Sequence, residues 1–521
     1  MIRKLSFAFL LLPFFALSQR LSYFTDREFN LYIDSTDSAQ TSLKSNAFLN
    51  YSDLLKINQS IYPRRKSENY FFKKIRKESL VSIKEKDFFL LLDPVFDFSL
   101  TKDMESSVND KLYNNSRGLW LRGNVGNKFA YESVFIENQS SFPTYLKSFV
   151  DTYKVVPGQG RWKNFKSKAY DYAYSAGTVS FLPFRNFSIQ AGHGKPFYGT
   201  GYRSLLLSDN AFNFPFAKLQ FKKGKFSYSF VCASLQIVNK VRIYYTNLNE
   251  PLFEKKSANF HYLTYFPRPR LHLSLFQGTV FRVRDAQHPY FNWSLINPII
   301  FGNAIQYGLS ASNNVILGAD FKGQISKNIS FYGQYIIDDH AKSFRFNNNK
   351  TGFQLGVQAK KIFRIKNLFA QFEYNRVRPY VYSSNIPSQS YSHYGQALAH
   401  PLGANFQEAI AFLNYRVNDF FIEMKGAYAE YGSDTLNSNF GKNVFAADRD
   451  PVSDKSVFLQ GMKTSLIWTH FKIAYLINPS SNMNVFMQAD WRSEAQVSVR
   501  NKTLLLSAGI KTSLFQNYYD F

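Results

Sequence analysis

The chemistry-bearing residues of this 521-residue chain are most concentrated between Gly192 and Phe216. This stretch, GHGKPFYGTGYRSLLLSDNAFNFPF, combines four glycines and six aromatic residues with Lys195, Arg203 and Asp209. A glycine-rich loop with a lysine can bind phosphate when it follows a buried strand and opens a helix as GxxxxGK[ST]. That motif is absent from the stretch and no helical pattern follows it, so we exclude a P-loop.

The same stretch contains residue types that could form a nucleophilic set, namely Ser204, Ser208, His193 and Asp209. A serine nucleophile of this kind is commonly raised on a strand-to-helix turn with the pattern GxSxG, which frames neither serine. Hydroxyl groups in turns usually cap backbone groups instead. We therefore expect no catalytic residues here.

Metal-binding and paired-carboxylate patterns are also lacking. The histidines at positions 193, 272, 393 and 400 show neither HExxH nor paired spacing. Glu132 and Glu137 lie five residues apart in a strand pattern and therefore point to opposite faces, unlike the carboxylates of a glycosidase. The sequence predicts a chain that is not an enzyme and that needs no metal or cofactor.

The composition combines many aromatic residues with many cations. Phe, Tyr and Trp make up 18% of the chain, yet its mean hydropathy is negative. Aromatic girdles and an apolar outer face around a wet, polar interior give this combination in a transmembrane β-barrel. The formal net charge is +26, and outside the cytoplasm the abundant polyanions are acidic polysaccharides and lipid phosphates, so we expect no nucleic-acid partner.

The N-terminal part of the chain differs from the rest. Residues 1–18 have a positive start, a short apolar core and small residues at their end, which predicts a signal peptide and export to the outer membrane. Residues 19–86 are predicted to form a periplasmic helical segment, with amphipathic helices over Tyr23–Ile33 and Glu68–Ile83. Seven basic residues between positions 61 and 80 fit either a solvated helix face or a face toward acidic lipid or polymer.

From Phe88 onward the apolar and polar residues alternate with the period of a half-buried strand. Residues 217–222 show it clearly, and after a turn at 223–224 the next strand repeats it, as in a β-hairpin. No later apolar run reaches the ~18 residues of a spanning helix, so membrane insertion requires a closed barrel. We predict an all-β fold, a transmembrane antiparallel β-barrel of about 18 strands over residues 87–521.

The last residues of the sequence are Tyr518, Tyr519, Asp520 and Phe521. A terminal aromatic residue on a strand with a two-residue period is typical of the final strand of an outer-membrane barrel. We therefore expect Phe521 to lie on the last strand.

Four blocks of sequence together resemble one family. The most specific is the core of the glycine-rich stretch, Gly199–Ser204 with Leu207–Asp209. The other three are Arg117–Gly118 with Glu137–Gln139, Phe142–Pro143 and Val155–Gly158; Asn297–Phe301 with Asn313–Gly318; and Asn375–Tyr380 with Leu398–Phe406. Together they are similar to the capsule-assembly Wzi-like outer-membrane β-barrels, in particular to the gliding-motility RemB-type branch of that family.

The resemblance implies an 18-stranded barrel with periplasmic helices and without catalytic residues. In the capsule branch such a barrel holds newly exported polysaccharide at the cell surface, and in the motility branch it acts during gliding. For this chain it implies a non-enzymatic outer-membrane barrel that anchors or assembles capsular polysaccharide or exopolysaccharide and supports gliding motility. Outer-membrane lipid, an acidic surface polysaccharide and the motility or capsule-export machinery are the partners it implies.

Cationic and aromatic residues of two blocks are our candidate polysaccharide contacts, because cations can hold uronate or phosphate groups and aromatic rings can stack on sugars. The candidates are Lys195, Tyr198, Tyr202 and Arg203 in the first group and Arg376, Arg378 and Tyr380 in the second. The alternative is that these residues only lock the loop. We expect a structural role for Gly192, Gly199, Gly201 and Asp209, with Arg203 held by a carboxylate such as Asp209.

Two other functions remain open on the sequence alone. An outer-membrane pore or a substrate-specific transporter would need an open lumen, whereas an anchor would tolerate an occluded one. An outer-membrane enzyme would need serine, histidine and carboxylate groups that converge across strands.

Overall fold

The computed structural model describes residues 69–521 apart from 107–110, 167, 239–252, 282–292, 303–304, 306–312, 340–349, 436–437, 448–456 and 498. The predicted signal peptide and the predicted helix over Tyr23–Ile33 lie outside the described residues. Within the described residues, no helix has the length and apolar character needed to cross a lipid bilayer.

The described chain is built almost entirely of strands. Its helices are α1 (Tyr70–Arg76) and α2 (Thr144–Tyr153), and short 3₁₀ turns cover Trp293–Ile296, Ile362–Arg364 and Pro387–Gln389. The strands are β1 (Val81–Lys84), β2 (Phe88–Asp103), β3 (Leu112–Val125), β4 (Phe129–Ser141), β5 (Trp162–Phe165), β6 (Ala169–Phe184), β7 (Phe187–Gly194), β8 (Phe214–Lys223), β9 (Phe226–Ile237), β10 (Glu254–Arg268), β11 (Leu271–Val280), β12 (Asn314–Gln324), β13 (Ile329–Asp339), β14 (Lys350–Lys360), β15 (Leu368–Val377), β16 (Ser392–His393), β17 (Gln396–Ala397), β18 (Phe406–Val417), β19 (Phe420–Ser433), β20 (Met462–Asn478), β21 (Met483–Gln496) and β22 (Val499–Thr512).

The main sheet closes on itself as a barrel. Of its twenty strands, β1 and β5 are short additions, and the other eighteen pair with their neighbours around the ring. The ring closes between β2 and β22, which pair antiparallel from Asp97↔Lys511 to Asp103↔Leu505. The predicted all-β, 18-stranded transmembrane barrel is therefore confirmed.

The two-residue period separates an apolar outer face from a polar lumen. On β8, Leu219 and Phe221 face outward with 37% and 45% of their surface exposed, whereas the side chain between them, Gln220, is buried. The β8–β9 hairpin pairs Lys223 with Phe226, so its turn lies one residue later than predicted. Gly224 in that turn has φ of +56, a left-handed conformation that suits glycine.

The two ends of the barrel have different connections. The strands are joined at one end by segments of two to seven residues, and we call this end the turn side. Longer segments, such as 142–168, 378–405 and 434–461, connect strands at the other end, the loop side. Because short turns face the periplasm and long loops face outward in outer-membrane barrels, the loop side is the external one.

Helix α1 packs at the turn side. Asn478, beside the β20–β21 turn, donates hydrogen bonds of 3.0 Å to the carbonyls of Lys74 and Glu78. The helix predicted over Glu68–Ile83 ends earlier, at Arg76, and the strand β1 follows. The reason is tertiary pairing, since β1 adds to the edge of β2 with Ile83 opposite Leu90.

The last residues are not part of a strand, so the expectation that Phe521 lies on the final strand is wrong. Strand β22 ends at Thr512 and the tail, Ser513–Phe521, runs into the lumen. There the Asp520 carboxylate meets Lys425 at 2.6 Å, and the Phe521 ring packs on Phe149 at 5.1 Å between centroids. These contacts in the lumen replace the strand pairing that the tail would make if β22 continued.

Two long connections fold inward with the tail. We call them the first plug loop (Lys195–Asn213) and the second plug loop (Arg378–Asn405). Leu205 and Leu206 in the first are fully buried, and their carbonyls accept hydrogen bonds of 2.8 Å from Tyr382 and Tyr391 in the second. The main apolar core of this barrel therefore lies in its lumen.

Candidate functional site

The first plug loop is fastened to the barrel wall by polar side chains of several strands. Thr200 donates to Asp320 on β12 at 2.7 Å, and the backbone amide of Tyr202 donates to Glu373 on β15 at 2.8 Å. Gln354 on β14 donates to the carbonyl of Arg203 at 2.7 Å. The alternating polar positions of the strands thus supply hydrogen-bond partners for a loop with little regular structure.

Glycine is required at the start of this loop. Gly199 has φ of +125, and a Cβ there would lie 2.4 Å from the Gln334 amide nitrogen. A Cβ on Gly201 would lie 2.5 Å from the carbonyl oxygen of Arg203. Gly192 lies on β7, before the loop begins.

Arg203 is the centre of a buried ionic network. Its guanidinium contacts Glu408 on β18 and lies 2.7 Å from Asp520 in the tail, and all three side chains are at most 2% exposed. Lys425 on β19 pairs with the second oxygen of Asp520 at 2.6 Å, so two cations balance two carboxylates. The prediction that Asp209 holds Arg203 is wrong: the Asp209 carboxylate accepts a 2.6 Å hydrogen bond from Tyr518.

His400 completes this network. Its Nε2 lies 2.9 Å from Glu408, and burial lowers the pKa of His400 to about 4 although Glu408 acts in the opposite direction. Burial acts to raise the pKa of Asp520, but Arg203 and Lys425 outweigh it and hold that pKa well below its usual value. Burial acts to lower the pKa of Arg203, and the carboxylates of Asp520 and Glu408 raise it overall. The network is thus charged and compensated at neutral pH.

The first group of candidate polysaccharide contacts lies inside the barrel. Tyr198, Tyr202 and Arg203 are 1%, 7% and 0% exposed. Lys195 is half-buried and donates to the carbonyls of Gly158 and Asp209 at 2.7 and 3.2 Å. In this arrangement the four side chains hold the loop and its neighbours in place.

The second group lies at the loop side. Arg376 is half-buried with its guanidinium 3.9 Å from the centre of the Phe458 ring. The hydroxyl of Tyr380, which is 5% exposed, donates to Asn439 at 2.8 Å. Arg378 is half-buried beside them. Of the predicted contacts, the two arginines and Lys195 are half-buried, and the other four are buried.

The residues weighed as a nucleophilic set do not converge. Ser204 donates to the carbonyl of Tyr198 at 2.5 Å, and Ser208 donates to the carbonyl of Ala399. The Nδ1 atom of His193 lies 3.0 Å from the carbonyl of Ser175. Both hydroxyls therefore stabilise the turn of the plug, as turn hydroxyls commonly do.

A cleft of about 980 Å³ opens at the loop side, above the plug. Helix α2, the 434–461 loop, the β21–β22 hairpin and the end of the tail line it. We call it the loop-side cleft. The lining combines aromatic, basic, acidic and neutral polar side chains: Phe149, Tyr153, Phe445 and Phe521; Lys442, Arg492, Arg500 and Lys502; Asp103, Glu105, Asp434 and Glu494; Ser148, Thr152, Asn443 and Asn501.

Four rings of the cleft form a continuous aromatic surface. The centroids of Phe149 and Tyr153 are 4.6 Å apart, and Phe149 and Phe521 are 5.1 Å apart. Tyr153 and Phe445 extend the row at 5.6 Å. Half-buried rings of this kind, with polar groups around them, can stack on the apolar faces of sugar rings while hydroxyl groups bind at the edges.

This cleft is not evident from the sequence alone. One local signal was available, since Tyr145, Phe149 and Tyr153 recur at the four-residue spacing that places side chains on one face of a helix. Arg492 and Phe521 join the cleft only through tertiary structure, with the Arg492 Nε donating to the carbonyl of Phe521 at 3.2 Å.

Comparisons with known proteins agree with this architecture. A family model described as capsule assembly protein Wzi matches residues 114–501. No curated protein matches the sequence. The structure of Wzi from Escherichia coli, a carbohydrate-binding β-barrel involved in group 1 capsule assembly, is similar in fold, with a TM-score of 0.51 at 14% identity over 96% of this chain and 95% of that chain.

Outer-membrane barrels outside the capsule family are similar to a lower degree. OprD of Pseudomonas aeruginosa has a TM-score of 0.41 at 11% identity, with 84% of this chain and 96% of that chain covered. OccAB2 of Acinetobacter baumannii has a TM-score of 0.44 at 11% identity, with 81% and 97% covered.

Proposed function

Since this chain belongs to the capsule assembly protein Wzi family, we propose that it is a non-enzymatic outer-membrane barrel that anchors acidic surface polysaccharide. The observation that carries the proposal is the loop-side cleft, where four aromatic rings, together with four cations and four carboxylates, surround about 980 Å³ at the external end of the barrel. The carbohydrate binding of the similar E. coli barrel supports the same class of ligand.

The charges that line the cleft are balanced, and the excess of positive charge lies beside it, on helix α2 and its flanking residues. The connection 142–168 contains six lysines and arginines but a single carboxylate, Asp151. Lys147 and Lys154 on this connection are exposed, as are Lys163 and Lys166. We propose that sugar rings stack in the cleft while these lysines attract the acidic groups of the same polymer.

The filled lumen favours an anchor over a pore. The two plug loops and the tail bury a continuous set of apolar residues inside the ring of strands, including Leu206, Tyr382 and Tyr391. Purified protein in a planar bilayer is expected to show little steady conductance. A large, stable conductance would favour the pore or transporter function instead.

The direct test is binding of an acidic polysaccharide by variants of the cleft. With alginate as the probe, the double variant Phe149→Ala, Tyr153→Ala is expected to bind about tenfold more weakly, because two stacking rings are lost. Binding of dextran, a neutral polymer, measures the contribution of the sugar rings without acidic groups. The measurement is affinity for the purified full chain.

The matched control is Trp293→Ala, which removes a 74% exposed aromatic ring away from the cleft. Its alginate affinity should equal that of the wild type. Unchanged affinity in the Phe149→Ala, Tyr153→Ala variant would place the polymer elsewhere, and Arg376 and Arg378 would then be the next positions to replace.

We also propose that the protein supports gliding motility, as its resemblance to the RemB-type branch implies, together with motility or capsule-export machinery. Residues 1–18 would direct its export. A strain that lacks the protein is expected to retain less capsule or slime and to spread less on a surface. Normal spreading with reduced capsule would limit the role to polysaccharide attachment.

A further inference from the structure

We propose that the turn side of this barrel carries a binding surface for anionic phospholipid headgroups of the inner leaflet. The surface is formed by five turns, β6–β7, β8–β9, β10–β11, β12–β13 and β14–β15. We call it the basic rim. Its exposed cations are Arg185, Lys222, Lys223, Lys225, Arg268, Arg270, Lys327, Lys361, Arg364 and Lys366.

The five turns are neighbours in space. Strands β6 to β15 follow one another around the barrel without interruption, so the rim covers more than half of its circumference. At about 4.8 Å between strands, the arc is roughly 45 Å long. Adjacent turns touch, since the Lys225 ammonium donates to the carbonyl of Pro267 at 3.2 Å.

The charge of the rim is not compensated by the protein. The connecting segments 185–186, 224–225, 269–270, 325–328 and 361–367 contain no aspartate or glutamate. The ion pairs that lysines and arginines form between described residues include none of the ten exposed cations of the rim. So dense a positive arc is unfavourable unless external anions neutralise it.

The opposite part of the turn side differs. Acidic residues occur there, at Glu85, Asp87 and Asp419, and helix α1 packs against the β20–β21 turn through Asn478. The Glu78 carboxylate pairs with Lys73 at 2.9 Å. Cations such as Lys84, Lys86 and Lys128 lie there as well, but carboxylates are interspersed with them, whereas the connecting segments of the β6–β15 arc contain none.

Exposed apolar side chains lie among the cations of the rim. Phe184 and Ile325 are both 72% exposed, and Phe363 is 88% exposed. Apolar anchors beside lysines and arginines are the pattern of a surface at a membrane interface, where the apolar group enters the acyl boundary and the cation reaches a phosphate. A soluble acidic polymer would use the cations but not these anchors.

The β14–β15 turn is held in a costly conformation that presents such an anchor. Lys361, Phe363 and Arg364 have φ of 52, 52 and 62, in the left-handed region that side chains other than glycine seldom adopt. The Phe363 ring in this turn is exposed, and Lys361 and Arg364 lie within two residues of it in the chain. Strain retained in a turn of this kind fits a role in binding.

The position of the rim beside the membrane indicates that its ligand is a lipid of the inner leaflet. The rim continues directly from the lipid-facing belt of the same hairpins, where Phe221, Phe331 and Leu355 are 45%, 44% and 52% exposed. A headgroup of the inner leaflet therefore lies at the level of the turns. The ligand is a net negative phospholipid, because a zwitterionic headgroup carries a compensating cation of its own.

The experiment is a lipid titration of the full chain in detergent, read by native mass spectrometry. Phosphatidylglycerol is expected to bind more tightly than phosphatidylcholine with the same acyl chains, and less tightly as salt rises. In the variant Lys222→Gln, Lys223→Gln, Lys225→Gln, phosphatidylglycerol binding is expected to weaken about a hundredfold, from the contribution of each cation near an anionic surface.

The control variant Lys102→Gln, Lys111→Gln, Lys255→Gln removes three exposed cations from the loop side and should leave phosphatidylglycerol binding unchanged. Equal binding of both lipids by the wild-type protein would overturn the proposal, whether or not the variants fold. So would displacement of the lipid by inorganic phosphate, which would identify a site for free phosphate. Alginate binding is measured separately, and it tests the loop-side cleft alone.

Discussion

The guanidinium of Arg203 joins three segments that are far apart in the sequence, namely the first plug loop, β18 and the tail. Buried charges are costly to remove from water, and the cost is recovered only when every member has its partner. The network of Arg203, Lys425, Glu408 and Asp520 meets that condition. At the scale of single residues, we expect this network to hold the plug in the lumen.

The replacement Asp520→Asn is expected to destabilise the plug strongly, because it leaves Arg203 and Lys425 with one carboxylate between them. Loss of one partner of a buried pair typically costs about 3–5 kcal/mol. The measurement is thermal unfolding of the purified barrel together with protease sensitivity of the first plug loop. The control is Asp209→Asn, whose amide oxygen can still accept the Tyr518 hydrogen bond and which should have a small effect.

Acid is expected to loosen the plug. The folded protein keeps His400 neutral down to a pKa of about 4, whereas the unfolded chain takes up that proton near pH 6.5, so stability falls as the pH drops between these values. The lowered pKa of Asp520 acts in the same direction at still lower pH, because its carboxylate stabilises the fold only while ionised.

Hydrogen exchange of the first plug loop, corrected for the intrinsic pH dependence, measures this effect. Protection should decrease from pH 6.5 toward pH 4, and less so in His400→Gln. An increase in protection over this range would contradict the assignment of His400 as neutral.

At the scale of elements, the first plug loop depends on backbone conformations that only glycine accepts without strain. Gly199→Ala would introduce a Cβ 2.4 Å from Gln334 at φ of +125. We expect a lower unfolding temperature and a measurable rise in conductance, since the loop would leave the lumen in part of the population.

The matched control is Gly426→Ala on β19, where a Cβ would meet no atom within 4 Å. Its stability and conductance should equal those of the wild type. Equal behaviour of the two alanine variants would show that the loop tolerates displacement and that other contacts hold the plug.

At the scale of the whole molecule, two concentrations of cations lie at opposite ends of a barrel whose net charge is +26. The connection 142–168 places exposed cations on the loop side, and the basic rim places them on the turn side, where we propose that an acidic polymer and an anionic lipid bind respectively. Opposite ends of one barrel can thus bind an acidic polymer and an acidic lipid without competing.

Salt should weaken alginate binding steeply, because exposed charges are screened within about 10 Å at 0.1 M ionic strength. Affinity measured at low and high ionic strength checks this, with Lys147→Gln, Lys163→Gln expected to flatten the dependence. Alginate affinity that is insensitive to salt would contradict the electrostatic part of the proposed function.

Much of the barrel could be derived from local sequence. The two-residue period of segments such as 217–222 specifies a strand with one apolar and one polar face, and the absence of long apolar runs leaves a closed sheet as the solution in a membrane. The same local signals identified the glycine-rich stretch as an ordered loop, since left-handed backbone at Gly199 is a property of the residue itself.

Only the tertiary structure decided which side chains meet. Arg203 needed a carboxylate on chemical grounds, but Glu408 and Asp520 reach it from positions about two hundred and three hundred residues away, and no local pattern encodes such contacts. The tail left the sheet for the same reason, because buried partners in the lumen outweighed further strand pairing. The sequence by itself determined a basic outer-membrane barrel; the folded lumen decided that the predicted tyrosines and Arg203 hold the plug, and that the cleft lies beside α2.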